Sequence, residues 1–271
     1  MKFEKLHDGG MIPVLGLGTW RMGGDMTPSY AHDRRELEGI KTALELGYTH
    51  IDTAEIYGSG HAEELIGQAI RGGDRSRLFL TSKVWSANLR YQDVLQALEG
   101  SLRRLGVSYL DMYLIHWPNP SIPLEDTFRA LNELVAQGKV RYIGVSNFDL
   151  EQLKQAKALA QVPLATNQVH YSLLHREPER NDLLSYCQDN GILLTAYRPL
   201  EKGEVIDHPV VREIAHQRQA TPAQVAIKWL IDKPKVITIP KAVSRQHLEE
   251  NLGALSVELT AADLARLDAV H

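Results

Sequence analysis

The sequence predicts an α/β protein folded as a parallel (β/α)8 TIM barrel, with an N-terminal β-hairpin and extra helices. Three observations carry this expectation. Eight short apolar runs alternate with longer segments whose apolar residues recur every three or four positions. The runs end about 32 residues apart on average, close to the roughly 30 or more residues of one βα unit. Each run is followed directly by a polar residue, as barrel strands are where they open into a site. An open doubly wound sheet is the alternative arrangement of the same units.

The elements follow in order. Residues 2–6 and 11–14 flank an Asp8-Gly9-Gly10 turn, the pattern of a hairpin able to cover the barrel floor. Strands are expected at 14–18, 48–52, 78–82, 112–115, 140–145, 164–168, 192–196 and 236–239. The segment 91–105 puts Val94, Leu95, Leu98, Leu102 and Leu105 on one helical face and stops at Gly106. A second helix, 124–137, has Leu131, Leu134 and Val135 as its inner stripe and ends at Gly138. The longest interval, before the eighth strand, has room for two helices, 209–218 and 222–231. Thr221, Pro222 and Gln224 announce the second with a capping box. Residues 261–270 read as a last helix, and no linker-like stretch divides the chain, so 1–271 reads as a single barrel domain.

Composition narrows the function. The 271 residues are 44% hydrophobic and 24% charged, as in ordinary globular proteins, and no run approaches the roughly 18 apolar residues of a membrane span. With 30 basic and 34 acidic residues, a net charge of −4 lacks the basic footprint of a nucleic-acid binder. No secretory signal is visible at the start, so a cytoplasmic location is expected. The single cysteine, Cys187, excludes an internal disulfide and a cysteine-based zinc site. It follows Leu183 and Leu184 at helical spacing and reads as a small core residue. His170 and His175 are five residues apart, outside the four-residue helical spacing of paired ligands, and read as structural; no metal is expected.

The residues at the strand ends are Thr19, Asp52, Lys83, His116, Ser146 with Asn147, Gln168, Tyr197 and Lys241, with the phenol Tyr57 five residues past Asp52. Any one of them could be a turn or cap former, but barrel closure would bring all of them to one rim. A tyrosine is a poor acid near neutral pH, and a nearby ammonium such as Lys83 would lower its pKa. Lys83 in turn needs a counter-charge, for which Asp52 at the neighbouring strand end is within reach, and His116 could hydrogen-bond a substrate oxygen.

These residues stand in strings that resemble the aldo-keto reductase superfamily: Asp52-Thr53-Ala54-Glu55-Ile56-Tyr57-Gly58, Thr81-Ser82-Lys83-Val84-Trp85 and Asp111-Met112-Tyr113-Leu114-Ile115-His116-Trp117-Pro118. Gly16-Leu17-Gly18-Thr19-Trp20, Gly144-Val145-Ser146-Asn147-Phe148, Thr166-Asn167-Gln168-Val169 and Ile239-Pro240-Lys241 match in register, so the resemblance spans nearly the whole chain. It implies a barrel reducing small aldehydes, α-ketoaldehydes or ketones with NADPH bound in extended form; a monomer is expected. Tyr57 would be the general acid, tuned by Lys83 and Asp52, and His116 would polarise the carbonyl. The resemblance assigns Ser146, Asn147 and Gln168 to the carboxamide, Tyr197 to stacking on the nicotinamide, and Lys241 to the adenosine 2′-phosphate. Thr19, Trp20, Asp52, Leu200, Glu250 and Asn251 would be further cofactor contacts.

The chain departs from the family around the phosphates. Arg198 replaces a serine and could pair with a phosphate instead, Ala242 replaces a small hydroxyl residue and His247 an arginine, while Arg245 stands two residues before His247; Arg198, Arg245 and His247 are counted among the expected cofactor contacts. Losing a bidentate arginine weakens the preference for NADPH, so NADH use is also open. Trp20, Trp85 and Trp117 form either an aromatic wall of the substrate pocket or plain core. Ending soon after the last helix, the chain is expected to leave the pocket open and its substrate range broad, as in short bacterial members with methylglyoxal-type reductase activity. Two other functions compete: a cofactor-binding regulatory or partner protein of the same fold without turnover, and a barrel enzyme forming a Schiff base on Lys83, which borohydride would trap.

Overall fold

In the computed structural model, which describes residues 1–270, the two N-terminal strands β1 (Phe3–Lys5) and β2 (Met11–Pro13) pair antiparallel across the Asp8-Gly9-Gly10 turn. Gly10 donates its amide to Asp8 Oδ1 at 2.8 Å, and the Tyr142 hydroxyl donates to the same carboxylate. Lys2 and Lys235 add side-chain bonds to the backbones of Ile231 and Lys5. Tyr142 and Lys235 lie at the amino ends of their strands, so the hairpin caps the floor of the sheet.

The main sheet runs β3 (Leu17–Gly18), β4 (His50–Asp52), β5 (Phe79–Val84), β6 (Leu110–Ile115), β7 (Val140–Ser146), β8 (Thr166–His170), β9 (Leu193–Tyr197) and β10 (Val236–Thr238), all parallel and each paired with its successor. A parallel bridge between Leu15 and Thr238 joins the first strand to the last. Thr238 donates to Val14 O at 2.8 Å and Gly16 to Thr238 O at 2.9 Å, closing the barrel. This closure decides against the open sheet. A Cβ on Gly18 would stand 2.4 Å from Ile239 O, so glycine is what lets the two strand ends meet. The first strand is shorter than the expected 14–18 because its leading residues are engaged only in this seam.

The surrounding helices are α1 (Asp33–Glu45), α2 (His61–Ile70), α3 (Tyr91–Leu105), α4 (Leu124–Ala136), α5 (Leu150–Leu159), the short α6 (Glu177–Arg180) and α7 (Leu183–Asp189), then α8 (Pro209–Gln217), α9 (Pro222–Ile231), α10 (Arg245–Gly253) and α11 (Ala261–Asp268). α3 buries Val94, Leu98, Leu102 and Leu105 and stops at Gly106, whose φ is 68°. Thr221 and Gln224 form the expected capping box. Cys187 is fully buried in α7, and burial pushes its thiol up to about 12, so it is inert packing. Residue 271 lies outside the described residues; the last helix ends at Asp268 rather than 270. Among the described residues no helix is long and apolar enough to cross a membrane, and no cluster of three or more metal-ligating side chains occurs.

Candidate active site

Parallel strands feeding right-handed crossovers place every strand's carboxyl end on one rim, and there a cavity of about 330 Å³ opens. Thr19, Asp52, His116, Ser146, Asn147, Gln168, Tyr197 and Lys241 line it, as does Tyr57. Lys83 does not reach the surface. It lies fully buried beneath the floor, where its Nζ donates to Asp52 Oδ1 at 2.5 Å and to Thr53 O at 2.7 Å. Asp52 is itself held from the opposite side of the barrel by Gln168 Nε2 at 2.8 Å, a bond spanning 116 residues of sequence. The carboxylate is thus compensated by one cation and one amide, as a buried charge requires.

Tyr57 sits on a tight turn after β4, its ring edge-on to Trp20 at 5.0 Å and to His116 at 5.5 Å, with the Lys83 ammonium 5.2 Å from the ring centroid. The expectation that Lys83 lowers its pKa is corrected. Burial first, and the adjacent Asp52 second, hold the Tyr57 phenol well above its ordinary value, with Arg198 the opposing charge. The physical reason is that burial and the Asp52 carboxylate outweigh the nearby ammonium. Asp52 also partly offsets the burial that pushes the Lys83 ammonium below its ordinary value. His116 is pushed down to about 2 by burial and by Lys83, so its imidazole is neutral, and its Nδ1 has no hydrogen-bond partner among the described residues.

A relay of polar groups lines the other wall. Ser146 Oγ donates to Gln168 O, Asn147 Nδ2 to His116 O and Ser146 Oγ, and the Tyr197 hydroxyl to Asn147 Oδ1 at 2.8 Å. Asn147 adopts φ 61°, a conformation asparagine tolerates, which turns its amide back over the strand ends. Thr19 Oγ1 is spent on Asp52 O. Behind Tyr197, His170 stacks at 5.5 Å and His175 on His170 at 3.8 Å, while Glu201 bonds His170 Nε2, which makes this pair a structural backing.

The three tryptophans resolve as pocket: Trp20, Trp85 and Trp117 all line the cavity, and Trp117 remains 44% exposed. Met26, Ile56, Pro199 and Ile239 complete the wall and carry no sequence signal beyond being apolar near the rim. Arg198 lines the cavity at φ 53° and makes no ion pair among the described residues. Lys241 bonds Arg21 O at 3.4 Å; burial lowers its pKa, with Glu36 opposing and Arg21 and Arg35 adding to the shift, and among the described residues no carboxylate bonds its ammonium. Arg21 and Arg35 are cations the sequence reading missed. The remaining candidates lie outside the cavity. Leu200 packs against the core, and Arg245 pairs with Glu45 and Glu249. His247 is exposed on α10, and Glu250 and Asn251 follow it there.

A model of the aldo/keto reductase family matches residues 14–208 and 207–271. Methylglyoxal reductase YeaE of Escherichia coli (strain K12) is 41% identical over 269 residues, covering 96% of this chain and 91% of that protein. A thermostable aldo-keto reductase crystallised with the inhibitor epalrestat superposes with a TM-score of 0.97 at 48% identity, over 100% of both chains. An aldo/keto reductase from Klebsiella pneumoniae, in complex with NADP and acetate, gives 0.89 at 41% identity, over 97% of this chain and 93% of that one.

Proposed function

This chain belongs to the aldo/keto reductase family, and we propose that it reduces small aldehydes, α-ketoaldehydes and ketones to alcohols with NADPH, with Tyr57 as proton donor. The observation that supports this most directly is the convergence at one cavity of Tyr57, neutral His116 and the buried Asp52–Lys83 pair, delivered by β4, β5 and β6. The residues present fit the cofactor. Tyr197 offers an aromatic face, Ser146, Asn147 and Gln168 offer amide and hydroxyl groups, and Lys241 and Arg198 are cations with no bonded carboxylate among the described residues, open to phosphate oxygens.

When bound, NADPH supplies the hydride. His116, neutral at every working pH, presents an N–H to the carbonyl oxygen and orients it without competing for the proton. Tyr57, kept protonated by its raised pKa, gives its proton to the oxygen as negative charge develops there. The transfer is favourable because an alkoxide is the stronger base, and the phenolate left behind faces Lys83 and Arg198. The same neutrality of His116 leaves no imidazolium to titrate during turnover.

Carbonyl-dependent NADPH oxidation across a panel of methylglyoxal, aliphatic and aromatic aldehydes tests this reading. NADPH should give the larger kcat/KM, and Lys241→Met should raise the KM for NADPH by about tenfold or more while leaving that for NADH unchanged, as expected for loss of one charge-assisted contact. Equal or better use of NADH by the wild-type protein, or oxidation without a carbonyl, would overturn it.

A further inference from the structure

Tyr57 is followed by three residues of left-handed backbone, Gly58 (φ 55°), Ser59 (φ 52°) and Gly60 (φ 97°). Such a turn persists only when its surroundings over-determine it. Here the surroundings are the 23–32 loop. Gly58 donates its amide to Asp25 O at 2.7 Å, Ser59 Oγ donates to Met26 O at 3.2 Å, and a Cβ on Gly58 would stand 2.2 Å from Gly23 O. Met26 of this loop forms part of the cavity wall. The loop and the Tyr57 turn therefore move as one, and what fixes the loop fixes the wall.

His61 closes this assembly. It is the first residue of α2, only 5% exposed, and each ring nitrogen meets a carboxylate from a different element: Nε2 with Asp33 Oδ1 of α1 at 2.9 Å, and Nδ1 with Glu64 Oε2 of α2 at 2.8 Å. Tyr30, from the loop itself, lies against the ring at 4.5 Å between centroids. From α3, Arg104 lies against Gly60 and is taken up by Glu63 at 2.7 Å. A neutral imidazole has one N–H and cannot serve both carboxylates; the imidazolium serves both. The Asp33 bond thus ties the point where the loop enters α1 to the start of α2, directly after the turn, while the Glu64 bond within α2 fixes the ring for it.

We propose that His61 is a positioning residue of the carbonyl site, its doubly bonded imidazolium holding the Met26 wall against the Tyr57 turn so that substrate binding weakens when the ring loses its proton. The inference rests on the reductase reading for its effect on turnover. Burial, the largest single influence on the ring, pushes its pKa down, but the bonds and charges of Glu64 and Asp33 outweigh it and raise the value above 6.5. The tie is therefore complete below 6.5 and is lost as pH rises through the higher folded value. Neither Tyr57 nor His116 titrates in that window.

The test pairs turnover with spectroscopy. In the wild-type enzyme the KM for the carbonyl should rise about fivefold from pH 6 to pH 9 while kcat changes less than about twofold, the mark of a binding rather than a chemical effect. In His61→Gln the KM should be high and flat with pH. In Glu64→Gln, which keeps an acceptor but removes a charge, the inflection should move to lower pH. Independently of turnover, the ¹³C-methyl resonance of Met26 in the free protein should shift with the same midpoint as the His61 ring, and should lose that shift in His61→Gln. A Met26 resonance that ignores the His61 titration, or a KM inflection that persists in His61→Gln, overturns the proposal. Absence of any turnover would overturn the reductase reading alone, since the methyl shift decides the role of His61 by itself.

Discussion

Tyr57→Phe should fold and bind NADPH like the parent yet reduce carbonyls about 10²- to 10⁴-fold more slowly, the usual worth of a positioned general acid. The substitution removes one oxygen and keeps the ring, so the edge-on contacts with Trp20 at 5.0 Å and His116 at 5.5 Å survive. The hydroxyl faces the cavity and forms no hydrogen bond among the described residues, so its loss orphans nothing and the Tm should stay within about 2 °C. Steady-state kcat, the dissociation constant for NADPH measured by fluorescence and a thermal melt together check this. His116 cannot stand in as the acid, because a ring whose pKa is pushed down to about 2 has no second proton to give at neutral pH. A variant that keeps more than about a tenth of the parental kcat would move the proton donor elsewhere and break the proposed mechanism.

Much of this site is legible in the sequence because barrel closure converts a one-dimensional regularity into a place. A polar residue at the end of each apolar run, repeated at the spacing of a βα unit, has one destination, and Thr19, Asp52, His116, Ser146, Gln168, Tyr197 and Lys241 all reach it. Burial depth is not readable the same way. Lys83 ends its run like the others but points beneath the floor, and only the packed structure shows that it pairs with Asp52 and that the Tyr57 phenol stays above its ordinary value despite the ammonium. The Gln168–Asp52 bond joins opposite sides of the barrel and has no local signature. Arg245 illustrates the limit for helices. Two positions along α10 rotate a side chain by more than half a turn, and there Arg245 pairs with Glu45 and Glu249 on the exposed surface. The His61 bridge was invisible for another reason: its three members, Asp33, His61 and Glu64, come from two helix starts that only the fold brings together.

Lys83→Met carries the second large effect, on stability and catalysis at once. The side chain is fully buried and Asp52 nearly so, and removing the ammonium leaves a carboxylate whose remaining side-chain donor is Gln168 Nε2. An uncompensated buried charge of this kind costs about 3 to 5 kcal/mol, which for a chain of this size lowers Tm by about 10 °C. The carbonyl of Thr53 loses its lysine donor as well. Catalysis should suffer for a separate reason. The phenolate left on Tyr57 after proton transfer would no longer face a cation 5.2 Å from its ring, and kcat should fall by about 10²-fold, as expected for a unit charge at that distance in a partly screened site. The two effects separate in the double variant Lys83→Met/Asp52→Asn. Neutralising the carboxylate removes the buried charge and should restore most of the lost Tm, while kcat stays low because no cation returns. Recovery of activity along with stability would show that Lys83 serves only to neutralise Asp52, and would leave Arg198 as the charge that stabilises the phenolate.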